Sequence, residues 1–457
     1  MSAKRRALTP KGKGWYKGLH LPELKYPEAN ITSLVYYDQA PSKGAVIEAF
    51  ETHLWPLSRF SSVVKDDYFV PVEGVMDKNY HFSELEVEDE AAIDAHAAGV
   101  MSKPLDHTRP LWIATIIRAK KGRSAVMIRA NHVISDGLGL LFAFLPAMSC
   151  DSGNVVDNIP LPAILLGKKS TKKLGNGSSE APSKRRNKFF SFFGGLCSGI
   201  WNFWRGIFSI LIVNVDAAIK INAPNKDRLP VLPFSGRHTF TRMPSVPMDS
   251  IKAVREKHKC TVNDVIMAGL AGAIRRYCAE DLKDPLFKSG QSLECKCTML
   301  LALPRPVSAE DPGVSLCNNI VTPMCKLPID APDATSRLQR MVSTCDALKS
   351  VAYIKGIDLT VKLLTSIAPL RVLQKAASEA ISKITSNVTS LPMSTVPVRM
   401  FGQEIKEIQV LFVNNIPQIS LMSYNGFVHW NIICDPALIP EPMAIGRHFL
   451  EEVKEMA

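Results

Sequence analysis

No pair of cysteines in the 457 residues has the spacing of a zinc site. Ten cysteines are scattered along the chain, and the one close pair, Cys295-Lys296-Cys297, has a single residue between its members, where zinc sites use two to four. Neither a metal nor a disulfide framework is expected, and free thiols fit a reducing compartment. The opening residues, MSAKRRALTPKGKGWYKG, are charged with no apolar stretch behind them, so no secretory signal is expected. No retention or peroxisomal signal closes the chain, and no repeat recurs at a fixed period. Only one long run is nearly free of charge, which excludes a polytopic membrane protein. With 46% hydrophobic and 21% charged residues, the composition is that of a globular protein with a large core. The length suits two or three domains at roughly 150 residues each.

Charge is short of one sign in two places. The formal net charge is +12. Residues 1–17 carry six basic residues and no acid, and residues 168–188 carry eight basic residues against Glu180 alone. The rest of the chain is close to neutral. Basicity confined to two such segments suits an anionic membrane surface and argues against a nucleic-acid groove.

Strands and helices alternate in both halves. Ala45–Leu57 and Glu88–Val100 read as helices. Leu111–Arg118 and Ser124–Ala130 read as a hairpin about Lys120–Arg123, and LGLLFAFLPAM after Gly137 reads as a helix. Residues 168–188 form a Ser-, Gly- and Lys-rich linker. The stretch 189–213 has one charge in 25 residues, Arg205. Thr261–Tyr277 is the clearest helix, with Val262, Val265, Ile266, Leu270, Ala273, Ile274 and Tyr277 on one stripe. Cys297–Leu303, Phe401–Val413 and Gln418–Cys434 read as strands, the last bent at Asn425-Gly426 into a type I′ hairpin. Asp333–Leu348, Leu359–Ile384 and Pro440–Glu455 read as helices. The pattern predicts an α/β (α+β) protein with mixed, largely antiparallel sheets.

The sharpest local feature is Asn131-His132-Val133-Ile134-Ser135-Asp136-Gly137, placed where a strand gives way to a helix. A histidine on such a loop suits a general base, because imidazole accepts a proton near neutral pH. Asp136 is placed to lock the loop through an arginine, with Arg109, Arg118, Arg129 and Arg305 as candidates. Gly137 permits a backbone approach that a side chain would block. The plain alternatives are a core histidine and an Asp136 that caps the following helix. Thr261 and Asp264 have the spacing of a capping box, which also assigns Asp264 a structural task.

Three motifs in order, Asn131–Gly137, Pro104-Leu105-Asp106-His107-Thr108-Arg109-Pro110-Leu111-Trp112 and Asn263-Asp264-Val265-Ile266-Met267-Ala268, resemble the wax ester synthase/diacylglycerol acyltransferase family, part of the condensation-domain superfamily of CoA-dependent acyltransferases. Softer matches are Pro304-Arg305-Pro306-Val307-Ser308, Ser386-Asn387-Val388 and the closing SYNGFVHWNIICDPALIPEP. The resemblance runs from about residue 30 to the end. It departs from the family's HHxxxDG at its first histidine, which is Asn131 here.

The resemblance implies two chloramphenicol-acetyltransferase-like subdomains, 1–165 and 236–457, with residues 166–235 as a crossover and a substrate channel at their interface. It implies an O-acyltransferase moving a long-chain acyl group from acyl-CoA to diacylglycerol or a fatty alcohol, with no cofactor beyond acyl-CoA as co-substrate. His132 and Asp136 are the implied catalytic pair. Asn131, Gly137, Asp106, Arg109, Asn263 and Asp264 support the site, with Asp106 and Arg109 expected to form an ion pair. The other readings are an acyltransferase acting on a soluble alcohol or amine, and a non-catalytic lipid-binding relative.

Residues 189–213 are long enough to span ~30 Å of hydrocarbon. A single crossing would put the two halves of a shared site on opposite sides of a bilayer. The segment is therefore expected to lie in the interface or re-enter it, ahead of a buried crossover helix or a true span. The basic linker would rest on anionic headgroups, so that 168–213 binds the membrane. The expected location is the cytosolic face of a membrane, endoplasmic reticulum or lipid droplet in a eukaryote.

Overall fold

The computed structural model describes residues 5–14, 16, 27–161, 235–285, 295–305, 312–349, 351–372, 374–375 and 384–457. The linker and the apolar run at 168–213 lie outside these residues. Among the described residues no helix is long and apolar enough to cross a membrane.

The N-terminal half is built on a five-stranded sheet in the order Glu407–Phe412, Asn30–Tyr37, Ser124–Asn131, Trp112–Ala119, Phe82–Val87. All neighbours are antiparallel except the last pair. The expected hairpin forms with Thr115 opposite Met127, and Gly122 takes the positive φ of its turn, +78°. Ser124–Asn131 is buried along its whole length. Alternate side chains explain this: Ala125 and Met127 pack with Ile93 and Ala97 of the helix Glu90–Val100, while Val126, Ile128 and Ala130 join Phe50, Trp112 and Phe144 on the other face. A strand covered on both faces reads as a continuous apolar run, and its C-terminal end delivers His132.

The C-terminal half has a seven-stranded mixed sheet. Its path runs Val246–Pro247, Phe427–Cys434, Gln418–Tyr424, Ser386–Pro392, Cys295–Met299, Met324–Leu327, and Thr239–Arg242 also pairs with Phe427–Cys434. The turn at Asn425-Gly426 has φ +45° and +81°, both positive as a type I′ turn demands. The helix Val262–Arg276 packs in this half's core with Ala334–Leu348 and Pro442–Met456. It opens on the capping box read from the sequence: the Thr261 hydroxyl accepts from Asp264 N, and Asp264 accepts from Thr261 N at 2.8 Å.

Of the helix expected over Leu359–Ile384, one described stretch starts earlier and runs from Val351 to Ile367, helix resumes at 370–372 and 374–375, and residues 376–383 lie outside the described residues. Pro369 marks the break, since the residue before a proline avoids the helical region. A second departure concerns the sheets. Glu407–Phe412 pairs with Asn30–Tyr37, so the chain after residue 392 crosses to the N-terminal sheet and returns at Gln418. The halves are distinct in sequence, yet the C-terminal half lends a strand to the N-terminal sheet. Between them lies a cavity of about 740 Å³.

Candidate active site

His132 sits at the cavity wall, 3% exposed, just past the end of its strand. Its main chain is anchored by donation from its N–H to the Ala29 carbonyl at 2.7 Å. Its ring meets Phe412 edge-on, with centroids 5.5 Å apart. The partner that matters chemically is Asn318, from the other half. Asn318 Nδ2 donates to the His132 carbonyl at 2.8 Å, which orients the amide. Asn318 Oδ1 therefore faces His132 Nδ1 at 2.7 Å as an acceptor, so Nδ1 carries the proton and Nε2 the lone pair. Burial pushes the imidazole below its ordinary pKa, against the opposing pull of the Asp136 carboxylate, and favours the neutral ring.

Both Asp136 oxygens are occupied. Oδ1 caps the helix Gly137–Phe144 by accepting from Gly139 N at 3.0 Å, and the same oxygen takes the Arg305 guanidinium. Oδ2 accepts from Asn319 N at 2.8 Å. Arg305 also donates to the Cys317 carbonyl at 2.9 Å. The capping reading and the arginine-lock reading thus hold together, with Arg305 as the arginine. Asp136 thus ties the His132 loop to the helix start, to Asn319 and to Arg305. At two glycines here a side chain would crowd its neighbours. A Cβ on Gly137 would lie 2.8 Å from Leu391 Cδ1, and one on Gly139 would lie 2.0 Å from Ser135 Oγ.

The remaining motif residues divide into cavity and support. Asn263 lines the cavity, whereas Asp264 is turned to its capping box and to Lys349 Nζ at 3.0 Å. Asn131 does not line it. Its Oδ1 accepts from Val133 N at 2.9 Å, and its Nδ2 donates to Asn30 Oδ1 at 3.1 Å. Asn30 in turn donates to Glu28 at 2.8 Å, and Glu28 also accepts from Leu105 N at 2.8 Å and meets His107 Nε2 at 2.6 Å. The first two sequence motifs are therefore joined by a polar relay under the histidine loop. The expected ion pair between Asp106 and Arg109 is replaced. Arg109 pairs with Asp77 at 2.9 Å, and Asp106 takes the Thr108 N–H and hydroxyl at 2.9 and 2.7 Å, because a three-residue turn satisfies it locally. Neither residue lines the cavity.

Sequence reasoning missed Asn318 and the buried Arg59, whose Nη1 donates to the Ile134 carbonyl at 2.8 Å. Neither lies in a motif with a recognisable spacing. Arg305 was marked only by the soft match around Pro304–Ser308. The described lining of the cavity combines apolar side chains, among them Ile31, Leu301, Ile320, Leu391 and Phe412, with the cations Lys252, Arg255 and Lys349. A neutral buried imidazole in an apolar cavity with cationic groups on its wall can deprotonate a hydroxyl on an apolar substrate.

Two family models match the chain: the wax ester synthase/diacylglycerol acyltransferase catalytic domain over residues 76–266, and the C-terminal domain of the same family over 316–457. A putative diacylglycerol O-acyltransferase of Mycobacterium tuberculosis is 29% identical over 189 residues, covering 39% of this chain and 38% of the relative. A second protein of that description and organism is 24% identical across 80% of this chain and 70% of its own length. Wax ester synthase/diacylglycerol acyltransferase 9 of Arabidopsis thaliana is 23% identical across 54% of this chain and 50% of its own. Among solved structures, the wax ester synthase/diacylglycerol acyltransferase of Marinobacter aquaeolei VT8 superposes with a TM-score of 0.61 at 16% identity, covering 99% of this chain and 98% of that one. The first condensation domain of the calcium-dependent antibiotic synthetase gives 0.62 at 12% identity, covering 100% and 96%. The solved structures identify the fold.

Proposed function

The chain belongs to the wax ester synthase/diacylglycerol acyltransferase family, and from that premise we propose that it transfers a long-chain acyl group from acyl-CoA to diacylglycerol or a fatty alcohol, with His132 as general base. One observation carries the reading: Asn318 holds the His132 tautomer whose Nε2 has the lone pair, at the wall of an apolar cavity between the halves. Nε2 takes the proton of the acceptor hydroxyl as the oxygen attacks the thioester carbonyl. The C–S bond then breaks, and the imidazolium returns the proton to the departing CoA thiolate. No covalent enzyme intermediate is required. Lys252, Arg255 and Lys349 suit the phosphates of a CoA thioester, and the apolar wall suits its acyl chain.

The test offers purified protein long-chain acyl-CoA with diacylglycerol or a fatty alcohol separately, and resolves the lipids by chromatography while free thiol is counted. Triacylglycerol or wax ester formed in step with CoA supports the proposal. Thiol release without an ester product, or product only from a water-soluble alcohol or amine, overturns it. The proposal extends to an anionic membrane surface on the cytosolic side, reached through residues 168–213, on the strength of their composition alone.

A further inference from the structure

The helix Val351–Ile367 carries exposed apolar side chains among the described residues. Leu359, Leu363 and Ile367 are 44%, 52% and 77% exposed, and beyond the helix Leu370 and Val372 are 44% and 57% exposed. Single exposed leucines are ordinary on any surface, but residues spaced by four share one helical face. Here three residues at that spacing are followed, just past the helix end, by two more exposed apolar side chains. The same helix contributes Ile354 to the cavity wall, and its inner side is fixed by Asp358, which accepts from Lys11 at 2.6 Å.

Charge on and around this face has one sign. Lys355, Lys362, Arg371 and Lys375 are exposed, and the one acid of residues 351–375, Asp358, is held by Lys11 and Lys362. An apolar stripe edged by lysines is the pattern of a helix lying in a bilayer interface. The apolar residues enter the acyl boundary while the lysine stems extend along it to place their ammonium groups among anionic headgroups. Two copies of so basic a face would repel each other, which disfavours self-association through it.

We propose that the Leu359–Val372 face docks on an anionic lipid bilayer and sets against the lipid the helix that lines the cavity through Ile354. The contact is separate from the one assigned to residues 168–213, and it does not depend on which reaction the site performs.

The test measures hydrogen–deuterium exchange of the full chain over residues 351–372, with and without vesicles of phosphatidylcholine containing about 30 mol% phosphatidylglycerol. Exchange there should slow several-fold with the anionic vesicles and less with pure phosphatidylcholine. Leu363→Glu with Ile367→Glu should abolish that slowing and weaken vesicle partitioning by about tenfold or more, with an unchanged circular dichroism spectrum. Ile367→Ser, at the most exposed position, serves if the double variant fails to fold. Exchange at 351–372 that is indifferent to bound vesicles overturns the proposal. So does a protein that binds no vesicles, or protection at 351–372 that appears on concentrating the protein without lipid, which would make the face an interface between copies.

Discussion

At the scale of single residues, the proposed chemistry turns on a relation that spans 186 positions, between His132 and Asn318. Asn318→Ala removes the acceptor that keeps the proton on Nδ1, and kcat should fall roughly 10–100-fold, as when other groups that orient a histidine are removed. Asn318→Asp should have a different signature. A carboxylate at Nδ1 stabilises the imidazolium, so the acid limb of kcat/KM should move to higher pH than in the wild type. In the wild type that limb should lie below the ordinary imidazole value of about 6.5, because burial disfavours the protonated ring. A pH–rate profile of the two variants separates these effects, and an unmoved limb in Asn318→Asp would remove Asn318 from the mechanism. His132 was legible from its place at a strand end. Asn318 was not, because an asparagine beside Asn319 carries no signal until folding brings it to the histidine.

At the scale of elements, what the sequence disclosed was local. The hairpin about Gly122, the Thr261–Asp264 capping box and the Asn425-Gly426 turn depend on neighbours within a few residues, and all three are present. What it left open was long-range: four arginines competed for Asp136, and only the fold brings Arg305 to it. That buried pair joins the loop before Gly137–Phe144 to the loop carrying Asn318. Asp136→Asn keeps an acceptor for Gly139 N but leaves the Arg305 charge buried without its partner, a change that costs about 3–5 kcal/mol. Denaturant melts should show that loss together with reduced activity. A loss near ~1 kcal/mol would mean that the cap alone matters.

At the scale of the whole molecule, the two halves were readable as separate blocks, but the crossing of Glu407–Phe412 into the N-terminal sheet was not. Its alternation fits either sheet, and its pairing with Asn30–Tyr37 is set by tertiary packing. Stability of the assembled core should depend on pH through His81, whose ring stacks on Trp112 at 3.9 Å and whose pKa burial holds down to about 4. The unfolded chain takes up a proton near pH 6.5 that the folded chain refuses. The stabilisation is therefore complete above that value and is lost as pH falls toward 4. Thermal melts should show a smaller drop between pH 7 and pH 5 in His81→Gln than in the wild type. The fold as a whole converges on a cavity between the halves with His132, the proposed base, at its wall. The most direct test of that claim is the turnover of folded His132→Ala with long-chain acyl-CoA and the preferred acceptor. A loss of about 10²-fold or more, with an unchanged melting temperature and thiol release falling in parallel with ester formation, is the predicted result. Ester formation near the wild-type rate by a well-folded His132→Ala protein would contradict it.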